Sequence, residues 1–108
     1  MIKKYLQYIN ELNYSGPKLD SKPARDIIFT KKSFDQYNEW ILIDRKKFKL
    51  IGKLIDQTSR DPFGGSKAEP LKDNGKWSKH IDAKNRLVYS INDNSIKVIS
   101  CYGHYDDK

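Results

Sequence analysis

Four side chains in the second half of this chain carry complementary chemistry: Glu69, Arg86, His104 and Tyr105. A carboxylate can take a proton. A guanidinium can hold two non-bridging phosphate oxygens at once, which an ammonium cannot. An imidazole, with an ordinary pKa near about 6.5, can hold a proton and release it at neutral pH. Together these are the parts needed to cut an RNA phosphodiester without a metal. The ribose 2′-hydroxyl is the nucleophile, a base removes its proton, and an acid protonates the departing 5′-oxygen. The products are a 2′,3′-cyclic phosphate and a 5′-hydroxyl end, and each proton transfer is typically worth roughly 10²- to 10⁴-fold. On this reading Glu69 is the base, Arg86 the charge clamp and His104 the acid, with Tyr105 stacking on a base or orienting the phosphate. Lys67, Lys72 and Lys79 flank these groups along the chain and are expected to touch phosphate, as is His80.

The four residues lie in three separate segments, GGSKAEPLKDNGKWSKHI, NRLVYSI and CYGHY, so folded elements must bring them together. A chain of 108 residues is the size of one domain with one core. Residues 26–30 (DIIFT) read as a strand, and Thr30 is placed to cap the helix that follows. In that helix Phe34, Tyr37 and Ile41 line one face, with Trp40 beside them. Asp44 reads as the cap of a second helix running to about Thr58, with Phe48, Ile51, Leu54, Ile55 and Thr58 as its buried stripe. Beyond the loop SRDPFGGS the period shifts from helical toward two. KWSKHI, RLVYSI and SIKVISCY become three strands joined by short turns at 82–85 and 92–94. The order predicts an α+β domain, an antiparallel twisted sheet with two helices packed on one face, over residues 26–108. Residues 1–25 read as an extension: an amphipathic N-terminal helix over 1–13, expected to dock through Tyr5, Ile9 and Leu12, and a Gly/Pro linker.

The charge is uneven. Residues 1–60 hold 13 Lys+Arg against 7 Asp+Glu, whereas residues 61–108 hold 8 against 7. A net charge of +7 suggests an anionic partner, and nucleic acid is the commonest. Arg45, Lys49 and Lys53 recur every four residues on the second helix and form a cationic face for solvent or phosphate. Cys101 is the single cysteine, so neither an intramolecular disulfide nor a cysteine metal site can form. His80 and His104 are far apart in sequence, with no acidic cluster at ligand spacing, and Gly64-Gly65 is only a turn. No metal and no cofactor are therefore expected. No stretch approaches a membrane span, and the residues after Lys3 and Lys4 are too polar for a signal peptide, so a cytoplasmic protein is expected.

From about Asp26 to Tyr105 the chain resembles the YoeB/Txe-type toxins of the RelE superfamily. The resemblance rests on the Phe34–Tyr37–Trp40 helix, RDPFGG, the AEPL box, KWSKHI, the RLVY strand and the closing HY. It implies a microbial-ribonuclease-like fold and a toxin that cuts mRNA in the ribosomal A site. It also implies a YefM/Axe-type antitoxin partner, operator DNA bound only through that complex, and a homodimer. By position, the family's base falls on Glu69, its arginine on Arg86, its acid on His104 and its terminal aromatic on Tyr105. Two features depart from the pattern: residues 1–25 are additional, and Tyr102-Gly103 stands where a basic or aromatic residue is usual. The competing readings are a toxin fold that only binds antitoxin and DNA, and a ribonuclease that needs no ribosome.

Overall fold

The computed structural model describes residues 23–72 and 75–103. The expected N-terminal helix, most of the linker behind it, His104 and Tyr105 lie outside the described residues. Strand β1 (Asp26–Phe29) leads into helix α1 (Lys31–Ile43), followed directly by α2 (Arg45–Arg60). Capping explains both boundaries. The Thr30 hydroxyl accepts from the Ser33 N–H at 3.1 Å and opens α1. Asp44 then serves both helices: its N–H donates to Trp40 O at 2.8 Å, and its carboxylate accepts from the Lys47 N–H at 3.0 Å.

Helix α2 buries Ile51, Leu54, Ile55 and Thr58, with Phe48 packed at the margin, as its periodicity predicts. Helix α1 differs from expectation. Its inward row is Ser33, Gln36, Tyr37 and Trp40, while Phe34 is 49% and Ile41 37% exposed. Polar anchoring sets this rotation. The Trp40 indole donates to Cys101 O at 2.9 Å, the Ser33 hydroxyl donates to Val98 O at 2.7 Å, and the Gln36 amide accepts from the Cys101 N–H at 2.8 Å.

Four more strands complete the sheet: β2 (Glu69–Pro70), β3 (Lys76–His80), β4 (Arg86–Ile91) and β5 (Ser95–Ser100). Their spatial order is β1-β5-β4-β3-β2. The meander β2 to β5 is antiparallel, while β1 runs parallel to β5 from Asp26↔Ser95 to Phe29↔Val98. The sheet is therefore mostly antiparallel. The short β2 and the parallel pair are additions to what the sequence predicts. Both helices cover one face, where Trp40, Ile51, Leu54, Ile55, Leu87, Tyr89, Val98 and Cys101 form the core. Burial pushes the Cys101 thiol up to about 12, which makes it a core atom rather than a nucleophile. Among the described residues no helix is long and apolar enough to cross a membrane.

The β3–β4 turn is held by one carboxylate. Asp82 Oδ1 accepts from the Lys84 N–H (2.8 Å), the Asn85 N–H (2.7 Å) and Asn85 Nδ2 (3.1 Å), and Oδ2 pairs with Lys47 Nζ at 3.2 Å. Desolvation alone would raise this carboxyl; the bonds from Lys84, Asn85 and Lys47 outweigh it and hold the group at about 2.

The folded value of Asp82 lies below the ordinary carboxylate value of about 3.9. The turn therefore stabilises the fold fully above about pH 4, and the contribution is lost as pH falls toward 2. Asp82→Asn is expected to be less stable at neutral pH and to lose less stability between pH 4 and 2. Urea midpoints across that window check it, and parallel acid limbs for variant and wild type would refute it. At neutral pH, Leu87→Ala in the core should cost about 2–5 kcal/mol. Asp44→Ala, which removes only one cap, should cost about 1 kcal/mol. Equal losses in chemical denaturation would contradict this division between core and cap.

Candidate active site

The face of the sheet away from the helices is built by strand register. Side chains directly opposite on paired strands point the same way, and alternate residues point opposite ways. Leu87 and Tyr89 of β4 enter the core, so Arg86 and Val88 project to the other side. Arg86 pairs with His80, and Val88 with Ser78. Ser78 pairs in turn with Glu69 on β2. Glu69, His80 and Arg86 therefore share one face. Glu69 and Arg86 are separated by two strand spacings, about 10 Å, and a two-residue offset of roughly 7 Å. A phosphodiester with its flanking ribose fits between groups so spaced.

Each residue is fixed by local structure. Arg86 is half-buried, and its Nη1 donates to Asp82 O at 3.1 Å and, more weakly, to Asn85 O at 3.5 Å. Among the described residues no carboxylate pairs with it, so its charge is not neutralised there. Its N–H donates to Gly103 O at 3.0 Å, and the Gly103 N–H donates to Asn85 Oδ1 at 2.7 Å. The C-terminal segment thus reaches Arg86 at the residue just before His104. Gly103 has φ +83, a left-handed conformation that glycine adopts at no steric cost.

Glu69 is exposed and is delivered by the loop between α2 and β2. That loop is tied from beneath by core polar groups: Lys79 Nζ donates to Asp61 O at 3.0 Å, and the Tyr89 hydroxyl donates to Pro62 O. Burial raises the Tyr89 phenol, with Asp61 adding to it, so it stays a neutral donor. Gly65, Ser66 and Lys67 then follow with φ of 77, 45 and 54. The two non-glycine residues each cost about 1–2 kcal/mol in that region. Backbone bonds hold the turn in place. Ser66 O accepts from the His80 N–H at 2.9 Å, and the Ser66 hydroxyl donates to His80 O at 2.6 Å. The strained turn is therefore docked on the end of β3, next to His80.

The remaining expected contacts divide. Lys67 and Lys72 are exposed near β2, and Arg45, Lys49 and Lys53 are exposed on α2. Lys79 corrects the sequence reading. It is fully buried, 5.9 Å from the Tyr89 ring centroid and bonded to a backbone carbonyl, so it holds the loop and presents nothing to phosphate. Burial pulls its ammonium below the usual lysine value, with Asp61 opposing that shift. Period-two counting carried the signal, since Lys79 alternates in step with Trp77, whose ring packs against Phe63 and the core. Ser66, Asp82 and Asn85 were not singled out as functional by the sequence, where they read as ordinary loop and turn residues. Among the described residues, no group of three His, Cys, Asp or Glu side chains is placed to hold a metal ion.

The comparisons agree with one another. Residues 29–105 match the family described as YoeB-like toxin of bacterial type II toxin-antitoxin system. The toxin YoeB of Escherichia coli K12 is 42% identical over 82 residues, 73% of this chain and 98% of its own length. A solved YoeB dimer from Staphylococcus aureus superposes with a TM-score of 0.69 at 36% identity, covering 76% of this chain and 99% of its own. A YoeB–YefM complex from the same organism gives 0.66 at 34% identity, covering 75% and 98%. The matched region contains Glu69, His80 and Arg86 and extends through His104 and Tyr105, and the relatives are spanned almost end to end. The chain belongs to the YoeB-like toxins of bacterial type II toxin–antitoxin systems.

Proposed function

We propose that this toxin is a metal-independent endoribonuclease that cuts mRNA in the ribosomal A site by 2′-hydroxyl attack. The supporting observation is the register that gathers Glu69, His80 and Arg86 on one face, with the chain leading to His104 bonded to Arg86 through Gly103. In this reading Glu69 takes the 2′-hydroxyl proton. Arg86, anchored through Nη1, turns its remaining donors to the non-bridging oxygens, where negative charge accumulates as the 2′-oxygen attacks. His104 protonates the 5′-oxygen as it leaves, and Tyr105 orients the scissile phosphate or stacks on a base. Lys67, Lys72 and His80 flank the phosphate path.

The protein works in the cytoplasm on translating ribosomes. Arg45, Lys49 and Lys53 give α2 an exposed cationic face, and backbone phosphates of ribosomal RNA are the matching surface. A YefM-type antitoxin holds the toxin inactive, and operator DNA is reached through that complex; the Staphylococcus aureus YoeB–YefM assembly supports the pairing. The dimeric relative supports a homodimer.

Purified protein added to ribosomes programmed with a defined mRNA should produce cuts at a fixed position relative to the A-site codon. The new ends should be a 5′-hydroxyl and a 2′,3′-cyclic phosphate. Glu69→Ala and His104→Gln should each lower the single-turnover rate by roughly 10²- to 10⁴-fold. Wild-type rates in both variants would overturn the assignment of base and acid, and equal cutting of free mRNA would overturn the ribosome requirement. Replacing Arg45, Lys49 and Lys53 together by glutamate should act differently. It should raise the half-saturating ribosome concentration and flatten its salt dependence while leaving the saturated rate near wild type. An unchanged half-saturation would remove α2 from the ribosome contact.

A further inference from the structure

We propose that Asn85 is a positioning residue for catalysis: its side-chain amide holds Gly103, the last link of the chain before the proposed acid. The inference rests on the reading of His104 as general acid. Both ends of the amide are committed. Its oxygen accepts from the Gly103 N–H at 2.7 Å, and its nitrogen donates to the two Asp82 carboxylate oxygens at 3.1 and 3.2 Å. A carboxamide presents one acceptor end and one donor end, so this pair of partners fixes its orientation. Asp82 is itself held by the Lys84 and Asn85 N–H groups and by Lys47. A chain of contacts therefore runs from α2 through Lys47, Asp82 and Asn85 to the backbone of Gly103.

Gly103 is gripped on both sides, since its carbonyl accepts from the Arg86 N–H at 3.0 Å. The Cα of the next residue is only about 3.8 Å further along the chain. These bonds are not needed to close the core. Cys101 is already secured by Gln36 and Trp40, and Tyr102, 52% exposed, lies against the Trp40 ring at 5.3 Å. Among the described residues, the hydrogen bonds at Gly103 lie beyond that point and join it to Asn85 and Arg86. The glycine itself is required by its φ of +83, because a Cβ added there would meet nothing within 4 Å.

A double-mutant cycle tests this. Single-turnover cleavage on programmed ribosomes is measured for wild type, Asn85→Ala, His104→Gln and the double variant, with melting curves for each. Asn85→Ala should lower the saturated rate roughly 10- to 100-fold, the scale of a small misplacement of a catalytic group. Its half-saturating ribosome concentration should be unchanged, and it should remain folded at the assay temperature. In the His104→Gln background the same change should have no further effect, because the group being positioned is gone. The proposal is overturned if Asn85→Ala cleaves at the wild-type rate, or if it costs the same factor with and without His104. Should Asn85→Ala not fold, Gly103→Ala enters the same cycle with the same expectations. A wild-type protein that does not cut, or a His104→Gln variant that cuts as wild type does, would instead refute the nuclease reading and the inference with it.

Discussion

In a pleated sheet, a shift of pairing by one residue exchanges the two faces. In this chain the two faces have different tasks. Leu87, Tyr89 and Val98 point into the core beneath the helices, while Arg86, His80 and Glu69 project from the opposite side. The β3–β4 register is therefore a constraint on stability and on chemistry at once. A slip that moved Leu87 out of the core would also carry Arg86 into it, burying an unpaired guanidinium. Selection for a packed core and selection for a site act on the same hydrogen-bond ladder. The short β2 strand, only Glu69 and Pro70, inherits its placement from that ladder through Ser78.

Groups buried on the helix side reach through to support the polar side. Lys79 and Tyr89 spend their polar ends on the carbonyls of Asp61 and Pro62, fixing the loop that carries the chain to Glu69. Asp82 links Lys47 of α2 to the turn that introduces Arg86. Trp40 and Gln36 of α1 hold Cys101, two residues before the contact with Asn85. The residues of the proposed site thus take their positions from buried or half-buried partners, which is how a reactive face would be held rigid. The strain at Ser66 and Lys67 belongs to the same economy of design: an unfavourable backbone persists because both backbone groups of His80 are bonded to Ser66.

Much of this was legible in the residues. Both caps, Thr30 and Asp44, the stripe of α2 and the three-strand meander follow from local chemistry, where each signal lies within a few positions of its effect. The features that escaped depend on distant partners. Nothing near Ile27 and Ile28 says that β1 pairs parallel to β5, and a strand of two residues has no periodicity to detect. The face of α1 was assigned from its large apolar side chains, Phe34 and Ile41. The helix instead turns inward the residues that bond to β5 and the chain beyond it, and the carbonyls of Val98 and Cys101 are more than sixty residues away. Of the site, Glu69, Arg86, His104 and Tyr105 stood out by type and by family resemblance, but only the register explains why Glu69 and Arg86 share a face. Asn85 and Gly103 read as a turn residue and a flexible spacer until their hydrogen bond is seen.

The chemistry assigned to this face requires that the substrate bring its own nucleophile. The most direct measurement is single-turnover cleavage by the wild-type toxin of two ribosome-bound mRNAs, identical except that one carries a 2′-deoxy nucleotide at the cut position. The account predicts cleavage of the ribose substrate to a 2′,3′-cyclic phosphate and none of its deoxy counterpart. Equal cutting of both would mean that water or another nucleophile attacks the phosphorus, and would contradict it.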